Sequence, residues 1–107
     1  MPYLSDEHKN ELDDAIIDLT TTLTETDVSI PGGLNYIISQ IVDRVVVKHG
    51  ESYSLYNTLL GSVEAAKLEI YRRLIAPYED TKIKENGDVF AKKPKKAKKG
   101  QQKLPRS

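Results

Sequence analysis

Three stretches of this chain repeat their apolar residues at the period of an α-helix, and proline or glycine separates each from the next. In the first, Leu12, Ile16, Leu19 and Leu23 recur at i, i+4, i+7 and i+11 and form one stripe. Glu7, Glu11, Asp14 and Asp18 repeat the same spacing round the other side, so the segment reads as an amphipathic helix with an acidic outer face. It is predicted from Asp6 to about Thr24. Ser5 stands as its N-cap, and Asp6 and Glu7 lie in the first turn, where the helix dipole favours negative charge. The threonines at 20, 21, 22 and 24 weaken its end, because β-branched side chains are poorer helix formers.

Asp27 to Gly33 reads as a connector, punctuated by Pro31, Gly32 and Gly33. A second helix is predicted from about Leu34 to His49, with Gly50 as its C′ residue. Leu34, Ile37, Ile38, Ile41, Val42, Val45 and Val46 cover about half its circumference, wider than one contact surface needs. That marks it as a central helix packed on two neighbours. Ser52 or Ser54 can cap a third and longest helix, from about Leu55 to Ala76. Its buried face would carry Leu55, Leu59, Leu60, Val63, Ala66, Ile70, Tyr71 and Leu74, and Pro77 should end or kink it. A short helical turn is expected within Tyr78–Glu85. Asn86-Gly87-Asp88 is a turn signal, and Val89-Phe90 is the last apolar anchor. The reading is all-α: a small three- to four-helix domain over residues 1–90, followed by a disordered basic C-terminal tail, 91–107.

The overall neutrality of the chain conceals a sharp partition. All 16 acidic residues fall in residues 1–90 against eight Lys and Arg, a net charge of −8. Residues 91–107 hold the other eight bases, Lys92, Lys93, Lys95, Lys96, Lys98, Lys99, Lys103 and Arg106, and no acid. Such a segment cannot offset its ordering entropy by burial. It should attract polyanions, and with no aromatic interleaved it should contact phosphates without stacking on bases. The absence of cysteine excludes a disulfide scaffold and a Cys-based zinc site. Residues 1–7 lack the basic and apolar regions of a signal peptide, and no apolar run approaches membrane-spanning length, so a cytoplasmic protein is expected.

Candidate chemistry is sparse. His8 and Glu11, three residues apart, resemble half of a carboxylate-bridged metal site, but such a site needs further inward-facing ligands from other helices. His49 is more simply a favourable cation at a helix C-terminus. Gly32-Gly33 could offer backbone N–H groups to an anion, though the spacing fits neither a Walker loop nor a dinucleotide fingerprint. Lys67 falls inside the apolar arc of the third helix, where its stem can lie on apolar surface with the ammonium in water, or where it can meet an anionic partner. Tyrosine dominates the aromatics, six against one Phe and no Trp. Tyr36 falls opposite the apolar arc of the second helix, and Tyr71 and Tyr78 bracket Arg72 and Arg73. Tyr36, Lys67, Arg72 and Arg73 are therefore candidates for a partner or ligand interface.

Gly33-Leu34-Asn35-Tyr36, Glu69-Ile70-Tyr71-Arg72-Arg73, Ala76-Pro77-Tyr78-Glu79-Asp80, Lys82-Ile83 and Glu85-Asn86-Gly87-Asp88-Val89 carry a resemblance. They are similar to a family of small uncharacterised helical proteins common in bacteriophages and bacteria, over about residues 33–90. The resemblance implies a phage or bacterial origin and brings no activity with it. The expected function is a non-enzymatic accessory protein that binds a macromolecular partner, needs no cofactor or metal, and touches nucleic acid non-specifically through the tail. The wide apolar arc, with Leu68 and Ile75 beyond the main stripe, adds an expectation of self-association. The competing class is an oligomeric module that sequesters a small anionic nucleotide.

Overall fold

The computed structural model describes residues 3–90, and every regular element in them is helical. Helix α1 runs Asp6–Thr24. Ser5 caps it in extended backbone geometry, its hydroxyl accepting the His8 N–H at 3.3 Å and its carbonyl the Lys9 N–H at 3.0 Å. The threonines do not cut the helix short. Thr20 and Thr24 turn their hydroxyls back onto the carbonyls of Ile16 and Thr20, at 2.7 and 2.8 Å, so each polar group is satisfied inside the helix.

Helix α2 runs Ile30–His49, and it begins four residues before the position that periodicity alone suggests. Pro31, Gly32 and Gly33 are its first turn and not a connector. Ser29 is the cap that overrides the poor helix propensity of the glycines. Its hydroxyl accepts the Gly32 N–H at 3.1 Å and its carbonyl the Gly33 N–H at 2.7 Å. Pro31 suits the first turn, where a missing N–H costs nothing. Gly50, at φ 91°, closes the helix with its N–H on the Val46 carbonyl at 2.8 Å.

Gly33 is also where α1 and α2 meet. A Cβ there would overlap Leu23 Cδ1 and stand 2.7 Å from Val28 Cγ1. Glycine thus lets the start of α2 press onto the end of α1. A Gly33→Val variant should push the Leu23 and Val28 side chains aside, loosen the α1–α2 corner and show a lower thermal midpoint by circular dichroism. An unchanged midpoint would mean that this corner is not held closed.

Helix α3 runs Tyr53–Ile70, capped by Ser52, whose hydroxyl accepts the Leu55 N–H at 3.0 Å. Here the chain departs from a helix that stops at Pro77. Residues Tyr71–Ile75 form one π turn, in which the Ala76 N–H reaches the Tyr71 carbonyl five residues back, and helix α4 continues through Ala76–Asn86. In an unbroken α-helix the Pro77 ring would meet the Arg73 carbonyl and leave it without a donor. The widened turn just before the proline accommodates both, so the helix passes through and 76–86 is a full helix in place of a short turn. Gly87, at φ 93°, ends it.

Contacts divide the chain into two units, residues 1–66 and a second beginning at Lys67. Neither supplies the core that the amphipathic pattern predicts, because no described residue is buried. Leu60, expected inside, is 72% exposed, and Ile41, on the expected inner arc of α2, is 52% exposed. Ile37, Val42, Val45, Val46, Leu55 and Leu59 reach only half-burial. Within residues 1–66, α2 packs on α1 alone among the described elements, so it is not sandwiched between two neighbours. Periodicity reports that a face needs covering. It does not report that the same chain covers it.

Candidate functional site

The residues with polar chemistry fall into local groups, each set by helical spacing. At the end of α3, Glu69 is gripped by two arginines. Arg72 donates through Nη2 to Oε1 at 3.1 Å and Oε2 at 3.2 Å, and Arg73 through Nη1 to Oε2 at 3.0 Å. The i, i+4 pair with Arg73 follows from spacing; the second arginine at i+3 makes the carboxylate a shared acceptor. Both guanidinium groups are mostly exposed, so the cluster contributes little to stability. Its consequence is chemical. An anionic ligand at Arg72 or Arg73 would compete with a carboxylate already bound to both.

Beyond the π turn, the Tyr71 hydroxyl donates to Glu79 Oε1 at 2.9 Å, and the Lys82 ammonium lies 5.6 Å from the centre of the Tyr78 ring. Tyr71 and Glu79 are eight residues apart. Two regular turns would bring residue 78 closer to that position, and the extra residue in the widened turn puts Glu79 there instead. At the start of α3, the Tyr56 hydroxyl donates to Glu51 Oε2 at 2.7 Å. The hydrogen bond to Glu79 and then its negative charge hold the Tyr71 phenol above its usual pKa, and the hydrogen bond to Glu51, then desolvation and the Glu51 charge, do the same for Tyr56.

A raised phenol pKa means that these bonds are present below the ordinary tyrosine range and are lost as pH rises through the shifted value. Spectrophotometric titration should find two tyrosines ionising late, and Glu79→Gln should return Tyr71 toward the ordinary range while leaving Tyr56 late. A Glu79→Gln titration identical to that of the unaltered chain would show that the Tyr71–Glu79 bond is not formed.

Tyr36 stands on α2, 65% exposed, on the side away from the half-buried valines, as its spacing predicts. Lys67 is exposed on α3. Lys67, Arg72 and Arg73 share the second unit and Tyr36 belongs to the first. The N–H groups of Gly32 and Gly33, considered as an anion cradle, are both taken by Ser29. Among the described residues no group of three or more His, Cys, Asp or Glu side chains is placed to hold a metal ion, and no helix is long and apolar enough to cross a membrane. Lys92, Lys93, Lys95, Lys96, Lys98, Lys99, Lys103 and Arg106 lie outside the described residues.

The most extensive feature is apolar. Leu12 and Ile16 on α1, Leu34 and Ile41 on α2, and Tyr56 and Leu60 on α3 each expose about two-fifths or more of their surface.

Comparison with known proteins finds no matching curated protein and no matching solved structure. The model of one family, described as a domain of unknown function (DUF6899), matches residues 1–89, and the chain belongs to that family.

Proposed function

We propose that this protein is a non-enzymatic accessory protein of phage or bacterial origin. Its helices bind another polypeptide, and its basic segment, residues 91–107, grips nucleic-acid phosphates without reading sequence. The observation that carries this is the pairing of well-capped amphipathic helices with the absence of any buried side chain among the described residues. In proteins most helical stability comes from packing an amphipathic face and not from intrinsic propensity. Such faces left open by one chain are suited to close on another.

The charge partition supports the second half. Eight bases without an acid adjoin a body of net charge −8. The body is repelled by nucleic acid, so contact belongs to the basic segment. The competing nucleotide-sequestering reading is less well supported, because Arg72 and Arg73 already share the Glu69 carboxylate. Fluorescence anisotropy of a labelled duplex with the full chain tests the proposal. Binding at low salt, equal for unrelated duplex sequences, is expected; no binding at low salt would overturn the nucleic-acid half.

A further inference from the structure

We infer that the polypeptide covering the apolar faces of residues 1–66 is a second copy of this chain. The inference rests on the reading of those faces as a protein-binding surface and names their occupant.

Charge is the first argument. The body is strongly acidic, yet its acids are not spread evenly. Residues 28–42, from the end of the α1–α2 corner through most of α2, contain no charged side chain, and neither do residues 52–63, the first half of α3. A surface shaped for a basic partner would carry acids, and one for an acidic partner would carry bases. These two stretches carry neither. A polar rim of charge normally solvates an exposed helix, and one that lacks it is a helix to be buried. Residues 1–90 of two copies, each of net charge −8, repel wherever their acids approach, and a charge-free face is what permits those parts to meet. Four of the six acids of α1, Glu7, Glu11, Asp14 and Asp18, lie across that helix from its apolar stripe and can stay in water.

Area is the second argument. Leu12, Ile16, Leu34, Ile41, Tyr56 and Leu60 are 49, 54, 47, 52, 42 and 72% exposed. At about 150–200 Å² for a fully exposed side chain of this size, they present roughly 500 Å² of apolar surface per chain. A standard interface buries about 800 Å² per partner, of which a little over half is apolar. One chain therefore offers as much as such an interface consumes. A two-fold dimer uses the same side chains twice, so each copy supplies what the other lacks.

Sedimentation equilibrium of the full chain at tens of micromolar, with no nucleic acid present, should give a dimer or larger species. A monomeric mass across that range would overturn the inference, and would assign the faces to a different protein. Leu60→Glu should weaken association at least about tenfold, since one buried leucine contributes about 1.5–3 kcal/mol. Glutamate is a good helix former and Leu60 is largely exposed in the single chain, so the substitution does not harm the isolated helix. Val47→Glu, at a 76% exposed position on the opposite side of α2, should leave association unchanged. Equal weakening by both substitutions would overturn the assignment of the face. Should Leu60→Glu prove too poorly helical to measure, the mass of the unaltered chain still decides. Duplex binding is read separately by anisotropy, so a monomer that binds duplex defeats only this inference, and a dimer that does not defeats only the nucleic-acid half of the proposed function.

Discussion

A chain ending at Phe90 should bind duplex DNA at least a hundredfold more weakly than the full chain at low salt. The removed segment carries eight positive charges and the remainder carries −8, so truncation deletes the attraction and leaves the repulsion. The salt dependence of the full chain carries the same information. With about five or six of the eight bases on phosphates, counterion release gives a slope of log K against log salt near −5, and raising salt from about 50 to 200 mM should weaken binding by about a thousandfold. Lysine as a point charge positions a protein on phosphates and specifies no base, so duplexes of unrelated sequence should lie on one line. Circular dichroism of the truncated chain should keep the helical signal, because α1 to α4 all end before Ala91. Equal affinity with and without residues 91–107, or a slope near zero, would sink the nucleic-acid role of this segment.

The local structure of this chain is written in its sequence more plainly than its packing. Ser5 before Asp6-Glu7, Gly50 after His49 and Gly87 after Asn86 are signals confined to a few residues, and each marks a helix end where it stands. Two local features hid behind stronger rules. Gly32-Gly33 suggests a connector until Ser29 is recognised as the cap, whose hydroxyl and carbonyl take both glycine N–H groups. Pro77 suggests a helix end or a kink, and a single π turn lets the helix continue past it. That turn also hides Tyr71–Glu79, since an eight-residue spacing is not a contact in a regular helix. The missing core is of another kind. Leu60 and Ile41 sit on correctly identified apolar arcs, and the pattern that places them is the same whether the covering helix comes from this chain or from another. Of the interface candidates, spacing finds the exposure of Tyr36 and the Glu69–Arg73 pair. It does not show that Arg72 shares that carboxylate.

If a second copy completes the core, helix content itself should depend on protein concentration, and this is the largest effect expected of the helical part. Ordering a residue's backbone costs about 1–2 kcal/mol, and burial is what normally offsets it. With no described side chain buried in one chain, little remains to hold α1 to α3 in water beyond their caps and hydrogen bonds. Folding and association then become one equilibrium, as for obligate dimers, and mass action governs both. Dilution from about a hundred times Kd to Kd takes the assembled fraction of a dimer from over nine-tenths to about half, and about tenfold further leaves a small minority. Far-ultraviolet circular dichroism should follow that fall, and the thermal midpoint should drop with each dilution. Leu60→Glu should shift the whole curve to higher concentration, whereas Val47→Glu should overlay the unaltered chain. The hydrogen bonds of Ser5, Ser29 and Ser52 set where the helices begin, so the loss is expected in amount and not in position. A helical signal and midpoint constant over a hundredfold range of concentration would mean that the single chain is stable with its apolar faces open to water. Such a result would remove the physical reason for requiring a second copy.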